Sequence, residues 1–293
     1  MAAFVIASPT ASFACACGCG VFEIGNLFTD QPGGAAFLEY DFMDQSKNWS
    51  GPSRAPATNN DDKDIRTSFY TLGAQYLFAS GFGVMAEVPY WSRHFATTGS
   101  SSLMSFDHSA LGDIRLTGAY SGFSEDRDTG VTFGVKLPSG DFAYPNFDRD
   151  TEIGSGSTDI TVGAYHRGSL DAMGNWRYFA QARYQAAVLQ HGGYRPGDEL
   201  NGTAGVSYDT GRIGGIELSP LFQVLGSTRR HDSGPEAKLT DSGYSRIILA
   251  PGVDFGIDSW IVHAEVDFPV YQNVIGNQLV ASTLFKSSIA YAF

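Results

Sequence analysis

The sequence predicts an all-β fold, a closed antiparallel transmembrane β-barrel of about 12 strands. Three observations predict it. Long stretches alternate apolar and polar residues with period two. The connections between them alternate short and long. No stretch among the 293 residues approaches the 18 consecutive apolar residues of a transmembrane helix. Only a closed barrel then satisfies every strand backbone in lipid.

Composition agrees. There are 35 Gly, 21 Phe and 14 Tyr, and charged residues are 17% of the chain, below the usual quarter. This mixture suits many strands joined by Gly-rich turns. The net charge of −12 repels phosphate backbones and argues against nucleic acid as a partner.

The end of the chain is the clearest element. Phe293, Tyr291, Ile289, Ser287, Phe285, Thr283, Ala281 and Leu279 share one face, and Ala292, Ala290, Ser288, Lys286, Leu284 and Ser282 the other. The same alternation recurs upstream. Strands are expected near 34–44, 65–80, 83–97, 112–123, 129–140, 157–169, 176–189, 199–210, 215–230, 244–256, 259–272 and 279–293. Strands of ten or more residues exceed those of soluble sandwiches and match a tilted bilayer crossing. Short connections fall at 81–82, 124–128, 170–175, 211–214 and 257–258. Long ones fall at 45–64, 98–111, 141–156, 190–198, 231–243 and 273–278. That sorting is the pattern of the Gram-negative outer membrane, with short turns periplasmic and long loops outside. Aromatic residues mark both interfaces: Tyr76, Phe78, Phe123, Trp176, Tyr208, Phe255, Trp260, Tyr291 and Phe293 near short turns, and Tyr90, Trp91, Phe95, Tyr184 and Tyr271 nearer long loops.

The beginning of the chain reads differently. Residues 1–14 resemble the remnant of a secretory signal peptide, with Ser12 and Ala14 at the small-residue positions before Cys15. Residues 15–33 form a periplasmic segment carrying Cys15, Cys17 and Cys19, and 34–293 the barrel. In an oxidising compartment the cysteines admit a disulfide or redox pair, a lipid anchor at Cys15, a soft-metal site, or pairing with a partner protein.

The inward faces carry acids (Glu39, Asp41, Glu87, Asp113, Asp159, Glu217, Asp254, Glu265, Asp267) and bases (Arg93, Arg115, Lys136, Arg167, Arg177, Arg183, Arg246, Lys286) in near balance. Burying them unpaired is prohibitive, so the lumen either holds water or is braced by ion pairs. Prolines follow closely in Glu87-Val88-Pro89, Lys136-Leu137-Pro138, Glu217-Leu218-Ser219-Pro220 and Asp267-Phe268-Pro269. Proline cannot donate to a ladder, so each marks a bulge or the ladder's outer limit. Glu87, Lys136 and Asp267 are the candidate constriction charges, with Arg93, Arg115, Arg183 and Glu265 as further lumen candidates.

The segments Gly112-Asp113-Ile114, Leu137-Pro138-Ser139-Gly140 and Phe268-Pro269-Val270-Tyr271-Gln272, with the terminal Phe293, resemble the MetA-pathway phenol-degradation family of outer-membrane proteins. The resemblance spans roughly residues 34–293. It implies a transporter-like barrel for small organic compounds and assigns no substrate-binding residue.

The expected function is thus an outer-membrane channel for small solutes, including hydrophobic or aromatic ones. The alternative is a structural or partner-binding barrel that presents the cysteine segment. Expected partners are outer-membrane lipid, the solute, and the barrel-assembly machinery through the strand ending in Phe293. No cofactor is called for. The acidic stretches 59–64 and 148–152 lack the spacing of a calcium loop and read as solvated loop charge. No GxSxG elbow is present, and His166 with Ser169 lacks a carboxylate at sensible spacing, so no enzyme is expected.

Overall fold

A computed structural model describes residues 32–99 and 102–293. The signal-like residues 1–14 and Cys15, Cys17 and Cys19 lie outside the described residues. The strands are β1 (Gly33–Gly51), β2 (Ser53–Arg54), β3 (Asp62–Leu77), β4 (Phe82–Thr98), β5 (Leu103–Leu111), β6 (Arg115–Tyr120), β7 (Thr129–Lys136), β8 (Ser157–Ser169), β9 (Trp176–Gln190), β10 (Glu199–Tyr208), β11 (Arg212–Ile213), β12 (Ile216–Arg229), β13 (Tyr244–Ile257) and β14 (Trp260–Ala292).

The sheet closes on itself. Its neighbours run β10-β9-β8-β7-β6-β4-β3-β1-β14-β13-β12, and β12 returns to β10. Eleven strands make this ring. The last counts twice: β14 pairs with β13 through Trp260–Val274 and with β1 through Val274–Ala292. The chain reverses near Gly276, whose φ of 70° suits glycine. The wall is therefore crossed twelve times, as expected. Every ladder of the ring is antiparallel.

Alternation puts the apolar face outside. Leu38, Leu72, Val84, Leu116, Phe133, Ile160, Val162, Val224, Phe268 and Phe285 are all exposed. A band of this extent around a closed wall is covered only by lipid. Aromatic rows bound it. Near the short turns Phe82 packs on Tyr120, Trp176 on Tyr208 and Trp260 on Tyr291, with centroids 4.7–4.9 Å apart. Towards the long loops lie Tyr40 and Tyr70, 5.2 Å apart, with Tyr90, Tyr184 and Tyr271. Trp91 and Phe95 are not in this row. They are 7% and 1% exposed and pack inside the barrel. Their parity with Glu87 and Arg93 dictates it.

Two expected loops are largely strand. β1 and β3 run past residue 44 and start at Asp62, and 103–111 is β5, paired to β4 from Tyr90↔Leu111 to Thr98↔Leu103. Cross-strand pairs hold this extension: Ser109 donates to Ser92 at 2.9 Å, and His94 Nδ1 lies 2.8 Å from Asp107. Between Leu103 and Leu111 the outward face of β5 is polar, with Ser105, Asp107 and Ser109, as suits a strand above the lipid band.

The prolines behave differently from one another. Pro89 lies where the partner of β4 changes from β6 to β5, and its carbonyl accepts from Gly112 N at 2.8 Å. Pro269 sits at a register shift between Ile247 and Ile248 of β13. Pro138 lies two residues after β7 ends. Pro220 stays in unbroken pairing with Val253 on the β13 side and marks no bulge there. Its missing donor falls just beyond the end of the β10 ladder, which stops at Leu221.

Candidate lumen and its inserted segment

After β7 the chain does not stay in the wall. Residues 137–156 turn into the lumen before β8 begins. Pro138 has no amide to continue the ladder, and the Ser139 side chain substitutes: its hydroxyl accepts from Ile114 N at 2.8 Å and donates to Gly112 O at 3.2 Å. Asp113 holds both ends of the segment. One carboxylate oxygen accepts from Gly140 N at 3.0 Å, and the other from Ser155 N at 2.9 Å and Ser155 Oγ at 2.5 Å. The backbones of Gly140 and Gly154 touch; a Cβ on Gly140 would stand 2.7 Å from the Gly154 Cα. The segments Gly112-Asp113-Ile114 and Pro138-Ser139-Gly140, singled out by resemblance, are thus bonded partners at the base of this insertion.

On one side the insertion packs without charge. Ile153 joins Met43, Phe69, Trp91, Leu225, Ile248, Ala250, Ala281 and Leu284 in one apolar cluster. These come from β12, β13, β14, β1, β3 and β4, six neighbours around half the wall. Arg93 seats the segment from β4, donating through Nη1 to Thr151 O at 2.5 Å and Glu152 O at 3.2 Å. Further out, His108 stacks on Tyr144 with centroids 4.0 Å apart, and its Nε2 lies 2.9 Å from Asp141. Lys238, from the loop after β12, reaches Asp148 at 3.1 Å and Asp150 at 3.3 Å.

The acidic stretch 148–152 is therefore not solvated loop. Asp150, Thr151 and Glu152 are 5%, 0% and 8% exposed. Long-range partners bury them, and the local spacing held no sign of that. Burial pushes the Glu152 carboxyl up to about 7; Asp141 adds to the rise, while the Tyr144 amide, Arg149 and Arg93 oppose it.

On the other side, towards β6–β10, a cavity of about 80 Å³ remains. Arg115, Lys136, Asp159, Gln185 and Glu199 line its wall, and Arg149, Glu152 and Ile153 its insertion side.

The expected site residues are now placed. Lys136 ends β7 and is held by Asp159 at 2.9 Å, Asp113 at 3.4 Å and Ser155 Oγ at 2.5 Å. Glu87 pairs in register with Arg115. Asp267 and Glu265 lie on β14 near Lys286, whose Nζ is 3.0 Å from Glu39. Gln223 donates to Glu265. Arg183 lies on β9 opposite Asn201 and Gly163. Of the inward charges read from the sequence, the stretch from β4 to β9 carries six bases (Arg93, Arg115, Lys136, Arg167, Arg177, Arg183) against three acids (Glu87, Asp113, Asp159), and β1, β13 and β14 carry five acids (Glu39, Asp41, Asp254, Glu265, Asp267) against Arg246 and Lys286. Ile153, Ser139, Ser155 and Arg149 were missed, because a loop has no period to reveal them. Asp113 had been placed inward by alternation, without a role.

Solved structures share this architecture. A crystal structure of an outer membrane channel from Pseudomonas putida F1 superposes with a TM-score of 0.67 at 11% identity, covering 91% of this chain and 97% of that one. The β domain of the Bordetella autotransporter Brka gives 0.53 at 13% identity, covering 90% and 100%. At these identities the likeness is one of fold. No family model and no curated protein matches the chain, so the resemblance to the phenol-degradation family stays with its short motifs. The chain is an outer-membrane β-barrel with a segment folded into its lumen.

Proposed function

We propose that the protein is an outer-membrane channel for small organic solutes, closed in this structure by residues 137–156. One observation carries the reading: a single connection, tied at Asp113 and the Gly140–Gly154 contact, packs inside the wall against residues of six of its strands. A segment hinged at one point can leave without dismantling the barrel. The charged inner wall favours polar or charged solutes over bare hydrocarbons. Glu87, Lys136 and Asp267, with Arg93, Arg115, Arg183 and Glu265, set the selectivity, because bases and acids on different walls create a transverse field. The chain enters the membrane by its C-terminal strand ending in Phe293, after export removes residues 1–14 and leaves 15–33 in the periplasm.

The test is planar-bilayer conductance together with liposome swelling by small organics. Ion current and swelling are expected. A well-folded, heat-modifiable barrel that shows neither overturns the channel and favours the scaffold that presents Cys15–Cys19.

A further inference from the structure

We propose that the cavity between the inserted segment and the β6–β10 wall is a binding site for a small organic monocarboxylate. The idea deepens the channel reading and rests on it only for how the ligand arrives.

Arg149 is the anchor. Its Nη2 donates to Ser155 O at 2.5 Å. Its guanidinium lies over Phe142 and Tyr194, 5.2 and 4.5 Å from the ring centroids. Its Nε and Nη1 are buried and meet no acceptor in the protein. A buried cationic donor left without an acceptor is costly. A carboxylate supplies what is missing and makes a charge-assisted bond.

Four of the five acids around the cavity are engaged elsewhere. Asp113 receives Gly140, Ser155 and Lys136; Asp159 receives Lys136, Ser157 and Gln185. Asp150 faces Lys238, and Glu199 accepts from Ser227 and Tyr244. Glu152 is held towards its neutral form by burial. An entering carboxylate therefore meets Arg149 with Asp113, Asp150, Asp159 and Glu199 already committed, and competes there only with Glu152.

Size and shape narrow the ligand. A volume of about 80 Å³ holds several waters, each needing roughly 10–15 Å³. That is room for acetate or propionate. A benzene-sized ring occupies a cavity of roughly 150 Å³. Trp91, Ile153 and Tyr194 give the cavity apolar surface for a short alkyl tail, which a bare oxyanion lacks.

The experiment titrates the detergent-solubilised full chain with sodium acetate, propionate, benzoate or sulfate at constant ionic strength, read by calorimetry. Propionate should bind saturably, and more tightly than benzoate or sulfate. Arg149→Gln should weaken propionate about tenfold, the loss of one charge-assisted bond. Arg149→Lys, which keeps the charge, should retain part of the affinity. Heat-modifiable gel mobility shows that each variant is a folded barrel. Absence of saturable propionate binding by the folded wild type overturns the site. So does unchanged affinity in Arg149→Gln, or sulfate binding as well as propionate. Conductance in potassium chloride separates the two ideas: binding without current leaves the site standing and removes the channel, and current without binding does the reverse.

Discussion

The inserted segment has two unlike sides. Towards β12, β13, β14, β1, β3 and β4 it packs as a globular core does, with Ile153 among Met43, Phe69, Trp91, Leu225, Ile248 and Leu284. Towards β6–β10 it leaves a cavity with Arg115, Lys136, Asp159 and Glu199 on the wall. Apolar contact is non-directional and adheres. Charged surface keeps water and polar groups in reach. On the proposed channel reading the difference separates two tasks: one half of the wall grips the body of the segment, and the other, beyond the tie at Asp113, leaves room for a path.

Breaking the adhesive side should have the largest effect. Ile153→Asp places a carboxylate in an apolar layer, where an unpaired charge costs several kcal/mol. The seated state then loses its advantage, and conductance in a planar bilayer should rise about tenfold or more. Ile153→Ala removes about 2–4 kcal/mol of packing and should give a smaller rise. No change in either variant would mean that the apolar side does not hold the segment.

A proton should act next. Burial pushes the seated Glu152 carboxyl up to about 7, from the ordinary 4.5 of a solvated glutamate. Between those values only the seated state keeps the proton. Raising the pH across this window therefore removes stability from the seated state, and the loss is complete above about 7. Current should grow from pH 5 to pH 8 and become flat in Glu152→Gln. A pH response that persists in Glu152→Gln would remove Glu152 from the account.

How much of this was legible shows in particular residues. The twelve crossings were readable because residues such as Leu72, Val84 and Phe133 face lipid and alternate with an inward set. β5 was not, because its outward Ser105, Asp107 and Ser109 stand in water and mimic a loop. Trp91 and Phe95 were misplaced in the outer girdle although they share the parity of Arg93. The burial of 148–152 was beyond local reading; it is made by Arg93, 58 positions from Thr151, and by Lys238, 90 positions from Asp148.

The path side gives the smallest effect. Lys136→Glu reverses one charge on the β7 wall and should move the reversal potential in asymmetric salt towards cations. Asp107→Lys is the control, since the Asp107 side chain is 84% exposed and exposed charge is screened within about 8 Å. Equal shifts in both variants would remove the lumen charge from the account.

The central claim is that the seated segment 137–156 keeps the barrel closed. Because Gly140 and Gly154 already touch, residues 141–153 can be excised and the two glycines joined through a short glycine link without moving β7 or β8. Single-channel conductance of this variant is the direct measurement. The account predicts a barrel with unchanged heat-modifiable mobility and a large, steady conductance where the wild type is mostly closed. A folded variant that conducts no more than the wild type would contradict it.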